Sequence, residues 1–186
     1  MDNHYIEKII KGDDKAFEYL INKYKDMSYT ISYRILRNEE EAEECVQDAF
    51  MKVYRSLSTF KEGSRFSTWL YKIVYNTSLS RLKSHKGYKE TFLNIDDEDS
   101  NQERNDDCSK LRTEDQKKYI QLALEKLEEG DSLLITLFYL NELSMEEIAE
   151  VTSWSAANIK VKLHRARKKL STELKNILKT ETSDLL

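Results

Sequence analysis

The fold of the C-terminal half is decided by residues 143–170, LSMEEIAEVTSWSAANIKVKLHRARKKL. Ser144 and Glu147 stand three residues apart, the spacing at which a serine and a glutamate cap the start of a helix together. Ser155 is a good N-cap for a second helix. The pattern therefore predicts two short helices joined by a tight turn at 153–154, as in a helix-turn-helix.

The second of these helices has one apolar face and one basic face. Its apolar residues recur at spacings of four, three and four, as in an α-helix; they are Ile159, Leu163, Ala166 and Leu170. Residues 155–170 contain six basic side chains and no acidic one. Such a helix fits a DNA major groove, whereas the alternative is a solvated basic helix of a bundle. The turn, the caps and the one-sided charge favour DNA binding, with an open side formed by Ala156, Ala157, Lys160, Val161, His164, Arg165 and Lys168.

Composition indicates an all-α protein. The 186 residues include no proline and only four glycines, and 34% are charged, a profile that favours helices. The net charge of -4 is uneven: residues 39–48 carry six acids and no base, whereas residues 61–89 carry seven bases and one acid. The basic surfaces keep nucleic acid among the candidate partners although the whole chain is acidic.

Apolar periodicity divides the chain into two parts. The most regular period runs from Ala42 to Leu57 in alternating steps of three and one, which predicts an amphipathic helix. Residues 92–113 have few apolar side chains and many acids, so they are predicted to be flexible. We expect an all-α fold of two small helical domains, at 1–90 and 114–180, with a linker at 91–113 and a tail at 181–186.

No pattern of an enzyme or a metalloprotein occurs in the sequence. Cys45 falls on the apolar stripe just described and Cys108 in the polar linker, and neither has a partner at metal-ligand spacing. A glycine-rich phosphate loop and a histidine–carboxylate–nucleophile set are both missing. We therefore expect no catalytic, cofactor or metal site. Without a disulfide framework, a signal peptide or a long apolar segment, the chain is predicted to be cytoplasmic.

A second candidate nucleic-acid surface lies at 66–83, FSTWLYKIVYNTSLSRLK. Aromatic side chains stand there beside basic ones, a combination that captures an unstacked base and holds its phosphates. The polar loop at 60–65, which contains a glycine, is suited to receive a flipped base. Composition leaves two interpretations open, single-strand binding and a plain core helix with a solvated basic side. In both, Trp69, Ile73 and Leu79 are assigned to the core, and Tyr75 is placed within reach of the polar face.

Three segments, in order along the chain, resemble bacterial RNA polymerase sigma factors. WLYKIVYNTSLSRLK at 69–83 resembles their promoter-opening segment, and EEAEECVQDAFMKVYRSL at 40–57 looks like the helix that grips polymerase. LFYLNELSMEEIAEVTSWSAANIKVKLHRARKKL at 137–170 is similar to their promoter-reading C-terminal domain. The order, spacing and length match the extracytoplasmic-function (ECF) group of the sigma-70 family, which has only regions 2 and 4 and a linker.

The resemblance implies roles for two surfaces of the N-terminal domain. The helix at 39–57 would bind the clamp coiled coil of core RNA polymerase through Glu44, Gln47, Asp48, Met51, Lys52 and Arg55. The loop and helix after it would melt and hold the single-stranded -10 element through Phe60, Lys61, Gly63, Ser64, Arg65, Trp69, Lys72, Tyr75, Asn76, Ser80, Arg81 and Lys83. Ser80 stands where members of the family often have aspartate, which bears on the preferred -10 sequence.

The resemblance also assigns the duplex -35 element to the C-terminal domain. The residues implied are Ser155, Ala157, Asn158, Lys160, Val161, His164, Arg165 and Lys168; Asn158 stands where threonine is common in the family. The implied function is a sigma factor for transcription initiation, with core polymerase, promoter DNA and an anti-sigma protein as partners in a stress or envelope response. No membrane insertion and no small-molecule substrate are implied. The alternative is a stand-alone helix-turn-helix transcription regulator, which leaves the aromatic basic helix unexplained.

Overall fold

The computed structural model describes residues 2–60, 63, 65–84 and 113–184, with side chains except at 113–116 and 180–184. These ranges are helical and contain no strand, which confirms the all-α prediction. Residues 91–112 of the predicted linker, with Cys108, lie outside the described ranges. A 3-10 turn (Leu57–Thr59) follows α3, and a π-helical turn (Thr136–Leu140) follows α6. The helices are α1 (Asp2–Ile10), α2 (Asp14–Leu36), α3 (Glu39–Ser56), α4 (Phe66–Ser84), α5 (Thr113–Lys126), α6 (Glu129–Ile135), α7 (Met145–Thr152) and α8 (Ala156–Asp184).

The helix starts in the N-terminal half follow their capping residues. Asp13 accepts hydrogen bonds from the backbone N–H of Lys15 and Ala16 at 3.1 and 3.3 Å, and Asn38 accepts one from that of Glu41 at 3.0 Å. These side chains satisfy N–H groups that have no partner within the helix. They fix the starts of α2 and α3.

The core of the N-terminal half lies between α2, α3 and α4, and α1 packs on α2. Cys45 of α3 is fully buried there, as its place on the apolar stripe predicted. Its Sγ lies 3.3 Å from Oγ of Ser78 on α4, which lies 3.0 Å from Oγ of Ser32 on α2. The three helices are thus joined by a small buried polar cluster as well as by apolar contacts.

The C-terminal half contains the predicted helix-turn-helix. Ser144 Oγ accepts from the N–H of Glu147 at 3.2 Å, and the Glu147 carboxylate accepts from the N–H of Ser144 at 2.9 Å. Ser153 ends α7 in a left-handed conformation with φ of 63°, and Ser155 Oγ accepts from the N–H of Asn158 at 3.2 Å. Both caps and the turn are therefore confirmed.

Two helix limits in the C-terminal half differ from what local sequence signals suggest. Gly130 followed by Asp131 predicts a break between helices, but both residues lie inside α6, which begins at Glu129. The second helix of the helix-turn-helix, α8, continues to Asp184, so residues 181–184 of the predicted tail are helical. Ile177 is buried, and this added apolar contact extends α8.

The two halves also pack on each other. α4 contacts α7 and α2 contacts α6, and the buried apolar side chains of both halves form one continuous cluster. Arg37 at the end of α2 donates to the backbone oxygen of Leu127 at 2.8 Å, and Arg34 donates to Oε1 of Gln121. This contact was not predicted. Within the described ranges, no helix is long and apolar enough to cross a membrane.

Candidate promoter and polymerase interfaces

The first half of α8 presents the side chains predicted for the -35 element on its open side. Ile159 and Leu163 are buried beneath them and anchor the helix against α7 and the rest of the domain. Asn158 and Arg165 are half-buried at the edges of this face. The remaining predicted residues are exposed: Ser155, Ala157, Lys160, Val161, His164 and Lys168. A face of this size and chemistry can enter a major groove without any rearrangement of its own helix.

The basic end of this part of α8 is partly used inside the domain. Lys169 Nζ lies 2.7 Å from Asp131 and 3.3 Å from Glu128. Burial lowers the pKa of Lys169, but its hydrogen bonds and attraction to the two acids outweigh burial and raise that pKa. Arg167 donates to the Tyr139 hydroxyl at 3.3 Å. All three basic side chains are exposed, and Lys168 is the one predicted to contact the -35 element.

An aromatic cluster stands at the start of α4. The ring of Phe60 lies 5.7 Å from that of Phe66 and 5.4 Å from that of Trp69, measured between centroids. Phe60 and Trp69 are half-buried, so each leaves part of a ring accessible. Gly63 and Arg65 are exposed beside them. Lys61 and Ser64, also predicted for this loop, lie outside the described residues.

The assignment of Tyr75 to the polar face is wrong. Only 3% of Tyr75 is exposed, and its side chain belongs to the apolar core. The reason is that α4 packs against α2, α3 and α7 together, whereas the sequence suggested a helix with one broad open side. The open strip that remains is narrow. It consists of exposed Asn76, Ser80 and Lys83 with half-buried Lys72.

Arg81, predicted to bind DNA, contacts acids of α3. Its guanidinium lies 2.9 Å from a carboxylate oxygen of Glu44 and 3.6 Å from one of Asp48. It also donates to the backbone oxygen of Glu41 at 3.0 Å. Two of the acids predicted to bind polymerase and one base predicted to bind DNA are thus brought together at the seam between α3 and α4.

All six residues predicted to bind polymerase are exposed along α3. Beside them lies a groove of about 670 Å³ between α2 and α3 that sequence reasoning missed. Its apolar lining includes Phe17, Ile21 and Phe50, and Met51 at its edge is 51% exposed. The exposed methionine on an otherwise polar side of α3 was the one signal in the sequence that could have revealed this groove.

A contact between α7 and the start of α4 was also missed. Oε1 of Glu147 on α7 lies 3.3 Å from the hydroxyl of Thr68 and 3.5 Å from the guanidinium of Arg65. Thr68 is 1% exposed beneath this contact. No local sequence pattern predicts this contact, because the two segments are far apart in sequence and meet only when the halves pack together.

Within the described ranges, no group of three or more histidine, cysteine, aspartate or glutamate side chains could hold a metal ion. What the geometry provides instead is three separate surfaces. One is a basic helical face, one is an aromatic cluster beside a narrow polar strip, and one is an acidic helix beside an apolar groove. The first two suit nucleic acid and the third suits a protein partner.

Comparisons with known proteins give the same picture. The family models for sigma-70 region 2 and sigma-70 region 4 match residues 20–88 and 117–170. The ECF RNA polymerase sigma factor SigW of Bacillus subtilis is 30% identical over 183 residues, covering 92% of this chain and 96% of that protein. CnrH, solved in complex with the cytosolic domain of CnrY, superposes with a TM-score of 0.64 at 20% identity, covering 94% of this chain and 97% of CnrH. The sigma factor RpoE of Bartonella quintana, solved with the anti-sigma factor NepR, has a TM-score of 0.61 at 22% identity, covering 87% and 98%.

Proposed function

The chain belongs to the ECF group of RNA polymerase sigma factors, and from this premise we propose how its surfaces share the recognition and opening of a promoter. The domain at 1–90 would bind core polymerase and handle the -10 element, and the domain at 114–180 would bind the -35 element. The linker at 91–113 would connect them. The observation that carries the proposal is the open face of α8, where exposed basic and polar side chains lie over the buried Ile159, Leu163 and Ala166.

The -35 element is proposed to lie against the first half of α8. Residues near the start of the helix, such as Ala157 and Lys160, would face base edges. Lys168, nearer the middle of this long helix, would face phosphates. Arg165 is half-buried at the edge of this face, and an arginine there can make a bidentate contact to a base edge.

The -10 element is proposed to bind as a single strand at the start of α4. Phe60 and Trp69 supply partly exposed rings on which a base can stack. Arg65, Lys72 and Asn76 supply cationic and polar groups for the strand beside them. We assign Tyr75 no contact with the strand, since its side chain is buried in the core.

The clamp coiled coil of polymerase is proposed to bind α3 through its exposed residues around Gln47 and Asp48. The groove beside Met51 adds apolar area to an otherwise polar contact. An anti-sigma protein is proposed as the regulator in a stress or envelope response, by analogy with RpoE of Bartonella quintana, whose solved complex contains one. We propose that the chain acts in the cytoplasm, where its polymerase and promoter targets are found.

The test combines a pull-down with transcription. Purified chain should bind core polymerase in the absence of DNA, and run-off transcription on genomic fragments should then start at defined sites that share -35 and -10 elements. A stand-alone transcription regulator would bind duplex DNA but would not bind free core polymerase. That second outcome would contradict the proposed function.

A further inference from the structure

The carboxylate of Glu147 performs two tasks at once. Its Oε2 completes the capping box of α7 by accepting from the backbone N–H of Ser144 at 2.9 Å. Its Oε1 reaches across to the other domain, where it lies 3.3 Å from the Thr68 hydroxyl and 3.5 Å from the Arg65 guanidinium. An acid of the -35 domain is thus seated on the first turn of α4, next to the aromatic cluster.

The start of α4 is suited to an anion. The first turn of α4 contains no acidic residue of its own. Unpaired N–H groups and the helix dipole make such a helix start electropositive, and Arg65 and the Thr68 hydroxyl add a cation and a donor. The same combination of groups binds phosphate in other proteins. Glu147 is the anion that occupies this position in the closed chain, with its side chain only 20% exposed.

We propose that Glu147 is an internal competitor for a backbone phosphate of the single strand that α4 binds. This inference rests on the proposed role of α4 at the -10 element. The strand and Glu147 cannot occupy the start of α4 together, so strand binding requires α7 to move away. The open face of α8 lies away from this contact and stays accessible. Packing of the two halves therefore blocks the -10 surface and leaves the -35 surface free.

A second contact between the two halves, around Arg34, bears on how readily the halves separate. Arg34 on α2 is 2% exposed, and within the described residues its Nε and Nη1 have no hydrogen-bond partner. Burial and then the nearby Arg37 lower the pKa of Arg34, and the attraction of Glu125 only partly offsets them. Separation of the halves returns this guanidinium to water. Apolar packing holds the two halves together, and this buried charge offsets part of that stabilisation.

The test measures binding of a fluorescent single-stranded oligonucleotide, carrying the -10 element mapped by run-off transcription, to the full chain. Glu147→Gln removes the charge but keeps a side chain that can complete a capping box. The matched control is Glu146→Gln, which removes a charge from an exposed side chain in the same helical turn. Glu147→Gln should bind the oligonucleotide about two- to fivefold more tightly than the control, since the pair that it breaks is partly solvated.

The salt dependence of oligonucleotide affinity distinguishes displacement of Glu147 by a phosphate from general repulsion between the acid and the strand. In the parent, the phosphate takes the place of a carboxylate, so no additional counterion is released at this position. In Glu147→Gln the phosphate is newly neutralised, and the slope of log affinity against log salt should steepen by about 0.7. Glu146→Gln should keep the slope of the parent.

Three outcomes would contradict parts of this account. Equal affinity and equal slope for Glu147→Gln and Glu146→Gln, with binding lost in Lys72→Ala and Asn76→Ala, would refute the competitor role and leave the -10 assignment standing. Binding that survives in Lys72→Ala and Asn76→Ala would refute the -10 assignment itself. An oligonucleotide that binds neither the parent nor any variant would refute both.

Discussion

Arg81 of α4 lies 2.9 Å from Glu44 and 3.6 Å from Asp48, and these two acids lie on the helix proposed to grip polymerase. The same guanidinium donates to the backbone oxygen of Glu41. A base from the proposed DNA surface therefore neutralises part of the proposed polymerase surface. Mutations in either surface must be interpreted with this coupling in mind, because loss of one partner leaves the other's charge exposed.

The first prediction concerns polymerase binding. Gln47→Lys combined with Asp48→Lys should weaken binding of core polymerase in a competition assay and leave the helix content unchanged, because both side chains are exposed. Arg81→Met is the control, since it breaks the pair with Asp48 without changing α3. If the double variant competes as well as the parent, α3 is not the main anchor.

The second prediction concerns the buried charge between the halves. Arg34→Met should raise the free energy of unfolding by about 1 kcal/mol, because a poorly compensated buried cation is replaced by an apolar chain of similar length. Its partner Gln121 is exposed and can bond to water instead. The measurement is urea unfolding followed by circular dichroism.

Arg37→Met serves as the comparison, because it removes the 2.8 Å hydrogen bond to Leu127 and frees no buried charge. It should lower the free energy of unfolding by about 1 kcal/mol. Changes of the same sign in both variants would mean that Arg34 stabilises the contact between the halves after all.

The third prediction concerns the linker, which stays a prediction because residues 91–112 are not described. Limited proteolysis should cut first within 92–113 and release fragments of about 90 and 70 residues, since so little apolar surface is available to order this segment. Mass spectrometry of the first products identifies the site. A full-length chain that resists the protease would mean that the acidic segment docks on a domain.

Local chemistry made the helix starts and the turn between α7 and α8 predictable. Ser144 and Ser155 each accept the backbone hydrogen bond that their positions suggested. Capping depends on residues three or four apart, so one sequence contains all the information that it needs. The buried position of Cys45 followed in the same way from the period of α3.

Packing between distant segments could not be predicted in this way. Tyr75 was misplaced because α4 packs against α2, α3 and α7 together, which leaves fewer open sides than its own sequence suggested. The contact of Glu147 with Thr68 joins residues 79 positions apart. The capping box fully explained Glu147, so nothing in the sequence indicated a second role for its other oxygen.

The fourth prediction concerns the duplex surface. Arg165→Ala should weaken binding of polymerase holoenzyme to a matched -35 element by about 1–3 kcal/mol, and the loss should be smaller for a mutated element. Lys168→Ala should weaken binding to all sequences alike, because an exposed lysine near phosphates makes no contact with bases. Electrophoretic mobility shifts with both elements measure the difference. Equal losses on the two elements for Arg165→Ala would exclude a base contact.

The last prediction separates strand opening from duplex binding. Asn76→Ala should leave closed-complex binding nearly normal yet reduce open-complex formation, because α4 would engage the -10 element only after the strands separate. Permanganate footprinting of promoter thymines on a linear template measures opening directly. Tyr75→Ala is a different case, since loss of a buried aromatic ring should destabilise the domain by about 3 kcal/mol and impair every activity together. Tyr75→Phe keeps the buried ring and should open the promoter close to normally. If Asn76→Ala melts the linear promoter as well as the parent does, this strip of α4 has a structural role and does not contact the strand.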